Sequence, residues 1–527
     1  MLCENCGKKE ANVRYEENIN GRVRTLNLCE ECSKKLGIGT MDFSMPIDFS
    51  SFFGEFMEDF ATPEFMPLLN NVKDLKCNTC GYTFNDIVNT GKLGCSDCYD
   101  VFYDRLDPII KKIQGANRHV GRIGKIIDNK IDKKVNEQEE NPKENKEINK
   151  NENKLEELQR KLKEAIKEER YEDAAKLRDE IKKNRRLRKW RNMNWYLQSG
   201  KDSDVAKSTR IRFSRNLKGF KFNLKTKQEI EKLENKIEEN IFSIGYGLKF
   251  LKLKDMDNIT KQSLVEKNLI SPDFSKNENG SILINDEENI CIMIGGEDHL
   301  QIQVFNCGLD LRNVLNLAIE IDNKLNEVLG YSMSKKYGYL TASPANVGTG
   351  LRASVMVHMP ALSKTNNIRK ILEATSNFGM NIRGVYGENS ESTSDMYQIS
   401  NKRTLGISEE EIVENLNSIV TKVIDQERKA RKLLTKNELE LEDLIYRSYG
   451  ILSNCRKISS KETLKLLSNI KLGTDLGILR ELTDLKVQKL YLYTKPANMQ
   501  KYVGEKYDKI ERDEKRAEVI KQILNEK

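Results

Sequence analysis

Eight of the eleven cysteines in this 527-residue chain fall within its first hundred positions, as four C-x-x-C pairs: Cys3/Cys6, Cys29/Cys32, Cys77/Cys80 and Cys95/Cys98. A C-x-x-C knuckle puts two sulfurs on one side of a metal ion, and zinc prefers four tetrahedral ligands, so two knuckles joined by a loop complete its shell. The joining loops are 22 residues (Cys6 to Cys29) and 14 residues (Cys80 to Cys95), both within reach of a zinc ribbon. A disulfide framework or a redox C-x-x-C is the alternative, and Met1-Leu2-Cys3-Glu4 does not open an export signal that would favour it. Two structural Zn2+ sites of four thiolates each are expected, with no position left open for catalysis. Cys291, Cys307 and Cys455 are scattered.

The length suggests about three or four domains. No window approaches the ~18 continuous apolar residues of a membrane span, so a cytoplasmic protein without membrane contact is expected. The net charge of +8 is a small surplus of 89 basic over 81 acidic residues, which gives no support to direct nucleic-acid binding. With 38% hydrophobic and 32% charged residues, a core is affordable but part of the chain must be strongly solvated.

The organisation reads as a zinc module at 1–38, a Phe/Met-rich connector at 39–74, a second zinc module at 75–115 and a charged linker at 116–153. The connector is either a docking segment or a loop packed on the fingers. The linker is mostly Lys, Glu, Asn and Asp from 128 onward and cannot offset its ordering entropy by burial. At 154–186, Leu155, Leu158, Leu162, Ala165 and Ile166, then Ala174, Ala175, Leu177 and Ile181, recur at helical spacing around a break at Glu169–Glu172. Two antiparallel helices or one charged helix fit this pattern. The segment resembles the UVR motif of a nucleotide-excision repair helicase and of several stress proteins.

From Trp195 the pattern changes. Ser281–Asn285, Ile290–Ile294 and Ser354–Met359 read as strands and Leu309–Leu329 as a helix, which predicts an α+β domain with an antiparallel sheet flanked by helices over 195–432. Residues 433–527 read as a helical C-terminal domain. Four arginine-bearing or acidic stretches sit here: Ser208-Thr209-Arg210-Ile211-Arg212, Gly296-Glu297-Asp298-His299, Gly348–Ser354 and Arg383-Gly384-Val385-Tyr386-Gly387-Glu388. Arginine forks suit phosphate oxygens, and glycines let backbone approach them. Each stretch taken singly also fits an ordinary strand face or loop.

As an ordered set they resemble the phosphagen kinase superfamily, and within it the bacterial protein-arginine kinase branch. The carrying segments are STRIRFSRNL (208–217), GGEDHLQIQ (295–303), YGYLTASPANVGTGLRASVMVHMPAL (337–362), RGVYGENSES (383–392) and YQISNKRTLG (397–406). YRSYGILSNCRKISSKE (446–462) and KLGTDLGI (471–478) are similar to the branch's C-terminal domain. The first 184 residues resemble the zinc-binding activator of that kinase, and Met193-Asn194-Trp195 reads like an old kinase start, so the chain looks like a natural fusion. The resemblance implies transfer of the ATP γ-phosphate to arginine side chains of proteins. Glu297 and Glu388 would be the catalytic carboxylates. ATP and its phosphates would meet Ser208, Thr209, Arg210, Ile211, Arg212, Arg352, Ala353, Ser354, Val355, Met356 and Arg383 to Glu388, with Mg2+ bridging the phosphates.

It further implies a homodimer, substrates marked for a ClpC-type Clp ATPase, and a CtsR-type heat-shock repressor among the targets. Arg512-Asp513-Glu514-Lys515-Arg516-Ala517 matches the branch's phosphoarginine-binding motif through Arg512, Asp513, Arg516 and Ala517. Four positions depart from the family pattern: Gly296 in place of an acid, Gln301 of a phosphate-contacting arginine, Asn268 of a nucleotide-contacting histidine, and Ser343 of a cysteine. They leave a second reading open, a catalytically weakened adaptor that still binds nucleotide or phosphoarginine. A metabolic kinase of free arginine and a DNA-repair factor fit less well, the former because its helical N-terminal substrate domain has no counterpart.

Overall fold

The computed structural model describes residues 13–19, 22–28, 75–122, 194–224, 226–384 and 394–526. Cys3, Cys6, Cys29 and Cys32, the connector at 39–74, the UVR segment, and Val385, Tyr386, Gly387 and Glu388 lie outside the described residues.

In the first module β1 (Val13–Ile19) and β2 (Arg22–Leu28) form an antiparallel hairpin, with Val13 opposite Leu28. The second module holds α1 (Phe84–Thr90), α2 (Cys98–Val101) and α3 (Tyr103–Gln114). Thr83 and Asp86 form a reciprocal capping box at the start of α1, and Gly91 ends it at φ 65°, a conformation that costs glycine little.

The α+β domain follows in the order β3 (Ala206–Arg215), α4 (Lys227–Glu238), α5 (Ile241–Ile244), β4 (Lys249–Lys252), α6 (Asn258–Glu266), β5 (Ser281–Ile284), β6 (Ile290–Ile294), β7 (Leu300–Cys307) and α7 (Leu311–Leu329). It continues with β8 (Met333–Ser334), β9 (Gly338–Tyr339), β10 (Leu351–His358), α8 (Pro360–Lys364), α9 (Ile368–Asn377), β11 (Met380–Gly384), β12 (Met396–Asn401) and α10 (Glu409–Leu434). Among the described residues the rest is helical: α11 (Glu438–Asn454), α12 (Ser460–Asp475), α13 (Asp484–Tyr493), α14 (Pro496–Val503) and α15 (Lys509–Asn525).

Eight strands make one antiparallel sheet in the order β11-β12-β10-β3-β7-β6-β5-β4. Its inner face carries Ile211, Phe213, Ile302, Val304, Ala353 and Val355, buried against Ala318, Ile321 and Leu325 of α7 and Leu416 and Val420 of α10. The opposite face divides in two. Toward β5 and β6 it is covered by Trp195, Phe274 and Leu264 with Ile282, Cys291 and Met293, and Trp195 stacks on Phe305 at 5.3 Å. Burial on both faces is why β6 reads as an unbroken apolar run rather than an alternation. Toward β3 and β10 the same face carries charge.

The second cysteine module shares a core with the α+β domain: Ile87, Leu93, Tyr99, Leu106 and Ile110 are buried together with Phe222, Tyr337, Leu340, Ala342, Val347 and Leu405. This docking extends past residue 115, where the charged linker was expected to begin. His119 N donates to Lys336 O at 2.7 Å, and Arg122 reaches Asp322 at 2.9 Å and Asn323 at 2.8 Å. Arg122 is thus held by a carboxylate two hundred positions away in the sequence. Asp322 is fully buried and also accepts two bonds of 2.9 Å from the buried Arg215, whose guanidinium lies 3.6 Å from the Tyr339 ring centre.

Removing one partner of a buried pair leaves the other charge uncompensated. Asp322→Ala takes from the buried Arg215 its only carboxylate among the described residues and leaves Arg122 with Glu409 at 3.5 Å. It is expected to cost about 3–5 kcal/mol, read as a lowered urea midpoint for the unfolding of the full chain.

Candidate active site

Period-two alternation puts Ser208, Arg210, Arg212 and Ser214 on one face of β3, and the register carries that face across the sheet. Arg212 stands opposite Arg352 on β10, Arg210 opposite Ser354, and Ser208 opposite Met356. One strand further out, Met356 faces Gln398 of β12, which in turn faces Arg383 of β11. Arg210, Arg212, Arg352 and Arg383 thus share one face of the sheet. Ile211, Ala353 and Val355 are fully buried in the core beneath, so of these predicted nucleotide contacts none presents a side chain to the arginine face. Thr209 is also buried, its hydroxyl donating to Gly308 O at 2.7 Å.

Burial lowers the pKa of Arg210 to about 9 and of Arg352 to about 10, with repulsion from neighbouring arginines adding to it. Arg212 is lowered by burial too, opposed by the charges of Glu297 and Asp298. All stay protonated near neutrality. Arg210 Nε donates to Ser354 Oγ at 3.3 Å, whereas Arg352 Nε finds no partner among the described residues. Concentrated positive charge with donors to spare fits a polyanion such as a nucleotide triphosphate.

Glu297 and Asp298 sit in the turn between β6 and β7. Glu297 is exposed. Asp298 is buried and accepts from Asn216 Nδ2 at 2.7 Å and Ala342 N at 2.8 Å. Burial, with the Glu297 charge second, pushes its carboxyl up to about 6. His299 is held neutral by burial, its pKa down to about 4, with Nδ1 accepting from Leu217 N and Nε2 donating to Lys221 O. The turn that carries Glu297 is thereby tied to β3 on one side and to the 340–346 loop on the other.

Of the departing positions, Gln301 lies opposite Ser214 on the arginine face, next to Arg212 in the diagonal sense. Gly296 has room for a side chain, since an added Cβ would meet only ordinary contacts of 3.7 Å to Phe274. Asn268 closes α6 at φ 61°, and Ser343 lies in the loop that bonds Asp298 through Ala342. Farther off, Arg516 is buried, donating to Thr494 O and Ile458 O at 2.8 Å each and pairing with Asp513, while Arg512 Nε donates to Asp508 O at 3.2 Å. Ala517 is buried, and the motif does not join the sheet-face cluster.

In the second module Cys77, Cys80, Cys95 and Cys98 place their sulfurs within 4.8 Å of one another, with 3.5 Å from Cys77 to Cys95 and 3.4 Å from Cys80 to Cys98. Zn–S bonds of about 2.3 Å at tetrahedral angles require S–S separations of roughly 3.8 Å, so the four thiolates fit a zinc ion.

Residues 229–430 match the family "ATP:guanido phosphotransferase, C-terminal catalytic domain", and 438–527 match "Protein-arginine kinase McsB C-terminal domain". Residues 75–121 match "McsA central zinc-finger domain", and 152–186 match "UvrB/uvrC motif". A protein-arginine kinase of Halothermothrix orenii is 45% identical over 336 residues, 63% of this chain and 96% of that protein. The protein-arginine kinase of Bacillus subtilis is 41% identical over 339 residues, 63% of this chain and 93% of the other. Among solved structures, the duplicated taurocyamine kinase from Schistosoma mansoni is 21% identical with a TM-score of 0.50, over 79% of this chain and 57% of that one, a likeness of fold.

Arg352→Ala is expected to lower the phosphoryl-transfer rate by about two to three orders of magnitude with an unfolding midpoint close to that of the unaltered chain. Gln301→Arg, adding a cation to the same face, is expected to raise the rate by at least about tenfold. Steady-state kinetics with a denaturation curve beside each variant checks both.

Proposed function

The chain belongs to the protein-arginine kinases, and from that premise we propose that it transfers the γ-phosphate of ATP to arginine side chains with residues 75–122 serving as an activator docked in cis. The arginine-lined face of β3 and β10 is the observation that carries this reading. Arg210, Arg212, Arg352 and Arg383 grip the phosphates and stabilise the spreading charge, where phosphoryl transfer depends mainly on positioning and electrostatics. Ser208 and Ser354 border that grip. Magnesium, when bound with the nucleotide, would supply positive charge that neutralises part of the phosphates' charge beside Arg210, Arg212, Arg352 and Arg383.

The acceptor guanidinium has a pKa above ~12 and is a poor nucleophile until it loses a proton. Glu297 and Glu388 orient its fork. As a guanidinium nitrogen bonds to the γ-phosphorus and the bond to the bridging oxygen breaks, the nitrogen's proton passes to a carboxylate. ADP leaves with that oxygen. Asp298, buried beneath Glu297 and bonded to Ala342 N, positions the carboxylate turn.

The activator reading rests on where the second module docks. Leu93 N donates to Ala342 O at 2.8 Å, Tyr99 Oη to Thr341 O at 2.8 Å, and Gln114 Nε2 to Pro344 O at 3.1 Å. These bonds hold the loop that in turn holds Asp298. Cys77, Cys80, Cys95 and Cys98 form one structural zinc site, and Cys3, Cys6, Cys29 and Cys32 a second. By family resemblance the protein is cytoplasmic and homodimeric. Its products are handed to a Clp-type ATPase, a heat-shock repressor is among its substrates, and Arg512, Asp513, Arg516 and Ala517 bind phosphoarginine.

The test is incubation of the zinc-replete protein with Mg-ATP and an unstructured arginine-containing protein, followed by mass spectrometry for acid-labile phosphoarginine at neutral pH. Phosphoarginine absent from a Glu388→Ala control is expected, as is a drop in rate of at least about tenfold when zinc is stripped by a chelator. Binding of ATP or phosphoarginine without transfer would instead support the adaptor, and a rate insensitive to zinc would remove the activator role.

A further inference from the structure

The second zinc module reaches the catalytic carboxylate itself. Lys92 Nζ lies 3.8 Å from Glu297 Oε2, with the two side chains 49% and 33% exposed. The backbone that presents this ammonium is pinned on both sides. Gly91 precedes it in the left-handed conformation, and Thr90 Oγ1 lies 3.2 Å from Lys92 O and 3.3 Å from Lys92 N. Leu93 follows, fully buried, with its N–H on Ala342 O, and Gly94 O accepts from Phe222 N at 2.8 Å. A Cβ on Gly94 would stand 2.7 Å from Cys80 Sγ, so the loop is pressed between the cysteine knuckle and the catalytic domain.

The charges around Glu297 are ordered. Arg212 and Arg352 act on it from the phosphate-binding face, and Lys92 from the module. An acceptor guanidinium must take Glu297 between these two sets of cations. A half-exposed pair at this distance is weak, and the planar fork of a guanidinium matches a carboxylate better than an ammonium does. Lys92 is then displaced from Glu297 but not removed. Its pinned backbone keeps its charge beside the acceptor, where the residues flanking the target arginine must pass.

We infer that Lys92 is a specificity-determining residue, favouring arginines flanked by acidic side chains over arginines flanked by basic ones. This rests on the protein-arginine kinase reading and deepens it by assigning the zinc module a direct contact with the substrate chain. Coulomb attraction of this range between partly solvated groups corresponds to about a threefold to fivefold preference, screened as salt rises.

The experiment uses the full zinc-replete chain and two unstructured peptides that differ only in the residues flanking one arginine, aspartate in one and lysine in the other. The ratio of kcat/KM for the two is measured for the unaltered chain, Lys92→Ala and Lys92→Glu, at low and high salt, with zinc content confirmed for each. The expected result is a preference for the aspartate peptide in the unaltered chain, a ratio nearer one in Lys92→Ala, and reversal in Lys92→Glu, all fading at high salt. Equal ratios in three active enzymes overturn the inference alone. So does a uniform gain on both peptides in Lys92→Ala, which would make Lys92 a plug rather than a selector. No phosphoarginine from the unaltered chain on either peptide would strike down the kinase reading and this inference with it.

Discussion

Three arginines held side by side on two adjacent strands impose the condition that the rest of the catalytic domain meets. Arg210, Arg212 and Arg352 are partly withdrawn from water and also repel one another, which is why Arg210 and Arg352 bind their protons less tightly than a free guanidinium. Such an arrangement survives only where the backbone leaves no choice. The ladder between β3 and β10, and the ladder between β3 and β7, provide that. A slip of one residue would drive the arginines into the core beneath and bring Ile211 and Ala353 to the surface. Alternation along β3 therefore serves packing and chemistry together. Arg215 illustrates the other parity: it falls on the inner side and is neutralised there by Asp322.

The second zinc module extends the same logic. A unit of under fifty residues has little core of its own. Its four thiolates supply one anchor, and its apolar side completes itself on Phe222, Tyr337, Leu340, Val347 and Leu405 of the catalytic domain. Ala342, whose carbonyl accepts from Leu93 N of the module, donates its own N–H to Asp298, so the module and the carboxylate turn are joined through one residue of the catalytic domain.

Much of this was legible in the sequence because it is local. Cysteine spacing announced the knuckles and the apolar run Ile290–Ile294 announced a strand, whereas its burial on both faces and the face shared by Arg210, Arg212, Arg352 and Arg383 follow from the sheet register. The ordered set of motifs identified the family. What escaped was long-range. Residues 116–122 look like the polar start of a linker, and only the fold shows that Arg122 has partners two hundred positions away. Lys92 sits between a glycine and a leucine with nothing periodic about it, and its neighbour Glu297 belongs to another domain. The converse holds for Arg516, whose place in a charged motif suggests a free guanidinium, while the fold gives it two carbonyls and a carboxylate.

Docking of the second module onto the catalytic domain takes place within a single polypeptide, and that changes its kinetic order. Association with a separate activator is second order and weakens on dilution. Here it is first order, at an effective concentration on the order of millimolar. The ratio of the two parts is fixed at synthesis, so neither can outnumber the other when expression rises or falls. A free copy of the module would have to compete against that tethered concentration to exchange in. Occupancy of the contact therefore tracks the integrity of the module rather than its abundance.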